Sequence, residues 1–188
     1  MSLQRLLVLF VSISFLVPMS GAQPESDQFK ALRAKAEAGD RAAQLNLGYA
    51  YDTGNGVAKD EAEAAKWFRK AGEQGDALAQ IIVASMLDEG RGCRKDLEEA
   101  AKWYRRAAIL GQPVAQYSLG IKHEKGDGLK KDLVDACVWY SLAAPSGLTP
   151  AKLRLTPLQA RLTKDQSALM QEKLGSLRKE MEAAKSAK

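Results

Sequence analysis

GVAKDEAEAAKWFRKAGEQG, from Gly56 to Gly75, is followed one interval of thirty-six residues later by GCRKDLEEAAKWYRRAAILG, from Gly92 to Gly111. After the same interval comes GLKKDLVDACVWYSLAAPSG, from Gly128 to Gly147. The register extends beyond these stretches without a gap. Gly39, Gly75, Gly111 and Gly147 keep it, as do Gly54, Gly90 and Gly126, then Trp67, Trp103 and Trp139, and the pairs Ala43-Gln44, Ala79-Gln80 and Ala115-Gln116. A fixed period of roughly 20–50 residues is the mark of a stacked array, in which each unit buries its apolar face only against a neighbour.

Each unit reads as two helices. In the first copy an initial helix over about 41–52 carries Ala43, Leu47 and Tyr51 at helical spacing and ends at a Gly-x-Gly turn. Asp40 and Asp76 are predicted to cap such helices, and Pro113 stands at a first-turn position in the third copy. The second helix opens at Asp60, Asp96 or Asp132, and three residues later come Glu63, Glu99 and Asp135, which predicts a capping box each time. Its buried stripe is Ala64, Trp67, Phe68 and Ala71, repeated as Ala100, Trp103, Tyr104 and Ala107. The Gly-x-Gly pairs are turns rather than phosphate cradles, because no strand precedes them and no third glycine opens a helix.

The pattern Gly-x-x-x-Ala-Gln-x-x-Leu-Gly, then Gly-x-Gly-Val-x-x-Asp-x-x-x-Ala-x-x-Trp-Tyr-x-x-Ala-Ala, resembles the Sel-one-like repeats, relatives of the tetratricopeptide repeats. The resemblance covers Gly39 to Gly147. Three positions depart from it: Gly72 stands where alanine is usual, Ala84 replaces a helix glycine, and His123 occupies the place of Tyr51. The fold this implies is all-α, a right-handed α/α superhelix of three thirty-six-residue helix-turn-helix repeats with N- and C-terminal capping helices. The corresponding division is a signal peptide at 1–22, a capping helix at 23–38, repeats at 39–74, 75–110 and 111–146, and a degenerate half-repeat with a capping helix at 147–188. At the first end Phe29 and Leu32 share one side. At the second, Thr149-Pro150-Ala151 restarts the first-helix pattern, which Pro157 interrupts, and a last helix begins near Thr163 with the stripe Met170, Leu174, Leu177 and Met181.

Composition bounds the function. Apolar residues are 46% and charged residues 27%, a globular balance. Arg5, the apolar run from Leu6 to Val17 and the small residues Ser20-Gly21-Ala22 read as a signal peptide cut after Ala22. The mature chain is therefore expected in the periplasm or secreted, with no membrane insertion. Removing Arg5 lowers the formal charge of +5 by one, and the charges are mixed along the chain. No nucleic-acid partner is expected from that distribution.

Candidate chemistry is sparse. His123 is the one histidine and falls in a core-facing slot, so it reads as structural. One His and two separated Cys lack zinc-ligand spacing, so no metal or other cofactor is expected. Cys93 and Cys137, in an apolar turn slot and on a second helix, leave open either a bridge between repeats or two buried thiols. Ser176-x-x-Lys179 matches one element of the penicillin-recognising enzymes without their other motifs. A cysteine-rich branch of the repeat family has been linked to β-lactam hydrolysis, so a hydrolase of that type is the alternative to the main expectation. That expectation is a non-catalytic, monomeric scaffold or adaptor of the cell envelope that binds a protein or peptide partner.

Information for a partner would lie where the copies differ. Leu45 and Tyr49, Leu78 and Ile82, and Tyr117 and Ile121 fall on one face of successive first helices, each pair four residues apart. First helices line the inner curve of helical solenoids, so these six are the candidate partner-binding residues of a concave groove.

Overall fold

The structure, a computed structural model, describes residues 26–186, and the signal-peptide segment lies outside them. Helix α1 (Asp27–Glu37) is followed by three helix pairs: α2 (Arg41–Thr53) with α3 (Glu61–Glu73), α4 (Ala77–Glu89) with α5 (Leu97–Ile109), and α6 (Pro113–Lys125) with α7 (Leu133–Ala143). A short 3₁₀ turn (Ala144–Ser146) leads to α8 (Thr149–Gln159) and α9 (Lys164–Ser186). No strand occurs among the described residues. Successive helices pack on one another in chain order, giving an α-solenoid, and only α9 leaves that order to lie on α7 and reach α5.

Helix ends are set where the sequence places small polar residues. Asp40 and Asp76 accept from the backbone N–H of Ala43 and Ala79 at 2.6 and 2.9 Å. Asp60, Asp96 and Asp132 accept from Glu63, Glu99 and Asp135 at 3.0, 2.8 and 3.0 Å. The expected capping boxes are thus one-sided. The cap residue's own N–H is already spent, because Asp60, Asp96 and Asp132 donate to the carbonyls of Tyr51, Leu87 and His123 in the preceding helix. That bond closes each turn on itself and frees the acid three residues on for other partners. A reciprocal box does form at α9, where Thr163 N–H donates to Gln166 Oε1 at 2.9 Å and Gln166 N–H to Thr163 Oγ1 at 3.2 Å.

Repeats are joined by a buried polar contact that recurs with the period. The Nε2 groups of Gln44, Gln80 and Gln116 donate to the carbonyls of Ala36, Gly72 and Ala108 at 3.1, 2.9 and 3.1 Å. Each carbonyl belongs to the penultimate residue of the helix before, and it also accepts from the glycine that ends that helix. Gln44 Oε1 receives Gln74 Nε2 at 2.8 Å. One period on, Leu110 replaces Gln74, and Gln80 Oε1 is left buried with no hydrogen-bond partner.

Close approach of neighbours needs the second glycine of each turn. A Cβ on Gly92 would lie 2.0 Å from the Glu61 carbonyl oxygen, and one on Gly128 would lie 2.1 Å from that of Leu97. The turn of one repeat therefore rests on the first turn of the previous repeat's second helix. Along the other edge, Asp52 pairs with Arg91 at 2.5 Å, Asp88 with the buried Lys122 at 2.5 Å, and Glu124 with Arg154 at 3.1 Å.

The array is sealed at both ends. Phe29 of α1 is buried, with its ring edge-on to Tyr51 at 5.6 Å. Met170 and Leu174 of α9 are buried against α7 and α8, and Leu177 is half-buried. Pro157 does not interrupt α8 as expected. It lies inside the helix, which ends two residues later at Gln159.

Gly92→Ala is expected to destabilise the chain by at least about 2 kcal/mol more than Gly75→Ala in urea unfolding. Both residues have positive φ, 67° and 84°, so both substitutions carry the left-handed penalty of about 1–2 kcal/mol. Gly75 has open space around it, whereas at Gly92 a backbone carbonyl must also move. Equal losses would show that the inter-repeat contact is not tight.

Candidate binding face

The first helices of the three pairs, α2, α4 and α6, present side chains at equivalent heights, and α8 adds a fourth helix to the row. At the position of their first turn stand Ala42, Leu78, Val114 and Pro150, all exposed. Leu78 is 49% exposed and Val114 52%. One turn further, the register Leu45, Ile81, Tyr117 continues onto α8 as Leu153, which is 69% exposed. Large apolar side chains are thus open to solvent on three neighbouring helices, α4, α6 and α8, which makes this row a candidate contact surface.

The six sequence-predicted residues do not share one environment. Tyr49 and Leu78 protrude. Leu45 and Ile82 are half-buried against the central core, and Tyr117 and Ile121 against the C-terminal core. Tyr49 stands edge-on to Phe68 at 5.1 Å and lines a hollow of about 360 Å³ with Phe29 and Leu32 of α1. Burial pushes its phenol above the ordinary tyrosine range, assisted by the carboxylates of Asp76 and Asp52. Ile121 belongs to a different hollow of about 340 Å³, beside the Asp88–Lys122 pair.

Tyr117 is engaged within the molecule. Its ring lies 5.7 Å from Tyr140, and its hydroxyl accepts from Arg154 Nε of α8 at 3.3 Å. Arg154 also pairs with Glu124, which accepts from the Tyr140 hydroxyl at 2.7 Å. Burial, then the Glu124 carboxylate, pushes the Tyr140 phenol strongly upward, so it stays a hydrogen-bond donor at any physiological pH. This network fastens α8 to the third pair. The C-terminal segment therefore covers Tyr117 but leaves the face of α2 and α4 open, since α9 runs over α5 and α7.

Leu153 and the Leu78–Val114 ridge are stronger surface features than four of the six candidates. The signal for Leu153 was in the sequence, because one period beyond Tyr117 falls on it. Exposure itself was not legible there, as Ile82 and Leu78 are alike in type.

The bridge held open between Cys93 and Cys137 is not formed; both are free thiols. Cys93 packs on the central core from the turn, while Cys137 is enclosed in the C-terminal core among Ala136 and Val138. His123 is half-buried as expected, with Nδ1 3.3 Å from the Lys130 carbonyl and 4.0 Å from Asp135 Oδ2. Ser176 is exposed on α9 and its hydroxyl makes no hydrogen bond among the described residues. No group of three or more potential metal ligands occurs among them, and none of their helices is long and apolar enough to cross a membrane.

Two-helix units stacked at a fixed period through glutamine, glycine and ion-pair contacts define a helical repeat protein. The Sel1 repeat family matches residues 41–76, 77–112 and 113–147, more than half of the chain, and the chain belongs to that family. The framing falls two residues after the one read from the sequence. Members of the family are generally protein-interaction scaffolds without catalytic activity. Among solved structures the chain is similar to a Sel1 repeat protein from Oxalobacter formigenes, at 39% identity and a TM-score of 0.65, over 68% of this chain and 52% of that one. It is also similar to c5321, a protective antigen present in uropathogenic Escherichia coli strains, at 25% identity and a TM-score of 0.61, over 81% of this chain and 41% of that one. Helicobacter pylori cysteine rich protein B shares the fold at 22% identity and a TM-score of 0.52, over 65% of this chain and 93% of that one. The chain thus spans about half or less of the length of the first two. Curated proteins include no match to it.

Burial raises the Cys137 thiol to about 11 and also raises that of Cys93. At pH 8 only about one Cys137 in a thousand is thiolate, the reactive form. A thiol reagent added to native protein is expected to modify Cys93 first and Cys137 only on unfolding. Two thiols should react in denaturant without reductant, and a count of zero would restore the bridge.

Proposed function

We propose that this chain is a non-catalytic scaffold or adaptor of the cell envelope that binds a segment of a partner protein along the face of α2, α4, α6 and α8. The observation that carries the reading is the ridge of Leu78 and Val114, half-exposed at equivalent positions of adjacent helices and continued by Leu153. Tyr49 is exposed on α2, and Leu45 and Ile82 are half-buried on α2 and α4 against the central core. A partner segment with two or three apolar side chains, spaced to meet successive helices, would bury this surface at about 25 cal/mol per Å² of apolar area. Family membership supports the scaffold role. The envelope location rests on the basic, apolar and small-residue pattern of residues 1–22, and the acting form is a monomer starting at Gln23.

Purified mature chain, immobilised and exposed to native envelope extract, is expected to retain a defined partner. Leu78→Asp and Val114→Asp should each weaken that retention at least roughly tenfold while leaving the melting temperature within a few degrees, because both side chains are largely solvent-exposed. Retention of the same partner by both variants at wild-type strength would remove the ridge from the reading. For the location, cell fractionation is expected to find the chain outside the cytoplasm beginning at Gln23, and an uncut cytoplasmic chain would refute it.

A further inference from the structure

The array departs from its own period between α5 and α7. At the first junction of second helices, Arg69 of α3 pairs directly with Glu99 of α5. One period on, the equivalent residues are Arg105 and Asp135, and both partners have been taken by α9. Arg105 Nη2 reaches the two carboxylate oxygens of Glu180 at 3.0 Å, and Lys173 Nζ reaches Asp135 at 2.5 Å. Beneath α9 lies a cavity of about 410 Å³ whose apolar walls include Ala101, Leu119, Leu129 and Trp139, with Ser176 and Leu177 standing over it. The helix borders this half-open space without filling it.

The grip of α9 is uneven along its length. Met170 and Leu174 are buried, but from Gly175 to Ser186 no residue is buried, and only Leu177, Met181 and Ala184 are half-buried. Gly175 marks the change. It is helical, and a Cβ there would meet nothing within 4 Å, so neither packing nor backbone geometry calls for glycine. Glycine is instead a poor helix former at the boundary between a sealed half and a loosely held half.

We infer that the face of α5 and α7 beneath the distal half of α9 is a docking site for an amphipathic helix of a partner protein, and that the chain's own α9 competes for it. The charges define the occupant: an acid aligned with Arg105, a base two turns earlier aligned with Asp135, and apolar residues between them. A bulky apolar side chain where α9 carries Ser176 would fill the cavity that α9 leaves. Released α9 would leave Arg105 and Asp135 without Glu180 and Lys173, able to pair with each other as Arg69 and Glu99 do or to meet an incoming helix of this pattern. This site lies on the opposite helices from the ridge of Leu78 and Val114, and the two readings stand or fall separately.

The probe is a labelled synthetic peptide with the sequence of Lys164 to Ser186 carrying Ser176→Phe, titrated against the full chain. The chain variant Glu180→Lys, which loosens α9 and leaves the face intact, should bind it roughly tenfold more tightly than the wild-type chain. Gly175→Ala in the chain should weaken binding roughly threefold to fivefold by firming the helix. A peptide that also carries Glu180→Lys should lose its affinity. In the unaltered chain, amides of 176–186 should exchange hydrogen at least roughly tenfold faster than those of 168–174. Uniform protection along α9, or peptide binding that is absent or indifferent to Glu180→Lys in the chain, would overturn the proposal.

Discussion

A side-chain amide donating to a helix-end carbonyl is the contact on which the stack depends. Gln44, Gln80 and Gln116 are buried, and each places Nε2 on the last-turn carbonyl of the helix before it. A buried amide without a partner costs roughly 1–3 kcal/mol, so a neighbour docked a turn out of register would forfeit this bond while still burying the group. Apolar stripes of alanine, tryptophan and tyrosine drive the helices together but tolerate sliding, because the hydrophobic effect has no direction. The glutamine supplies the direction. The same carbonyl accepts from both the glutamine and the glycine that ends the helix before it.

The remaining junction contacts follow from that register. Once the helix pair is fixed, the second glycine of each turn comes against a backbone carbonyl of the previous repeat, and no side chain fits between. The acids at Asp52, Asp88 and Glu124 then face the next unit, and each finds a cation there, although the cations come from three different places: a turn, a helix interior and α8. Partly exposed pairs of this kind contribute about 0.2–1 kcal/mol each, so they trim the array rather than hold it. Lys122 differs, because its ammonium is buried and has the Tyr104 ring 5.8 Å away as well as Asp88.

Period and helical spacing made the helices, turns and capping aspartates legible from residue types alone, since each is a local property that recurs with the period. What the sequence did not show is how the ends break the repeat. Pro157 reads as a stop, yet proline so near a helix end loses one hydrogen bond without breaking the helix, and α8 runs through it. The binding face was half legible. The face of Tyr49, Ile82 and Tyr117 could be assigned from spacing, but which members protrude depends on neighbouring helices, and Arg154 of α8 is what draws Tyr117 inward. The two cysteines were undecidable, because adjacency of repeats says nothing about whether two thiols point at one another.

Departures from the repeat fall into two kinds here. Leu110 in place of the glutamine at Gln74 leaves Gln80 Oε1 unsatisfied inside the molecule, a loss with no compensating contact among the described residues. Leu78 and Val114 in the place of Ala42 put apolar area into solvent. Arg105 and Asp135, by contrast, keep the charges of the preceding junction and exchange only their partners for Glu180 and Lys173. A junction that retains its own pairing groups while a separate helix satisfies them still has the surface of an open array underneath. At the first junction Arg69 and Glu99 pair directly, whereas at the second α9 supplies both partners and also seals the C-terminal core with Met170 and Leu174.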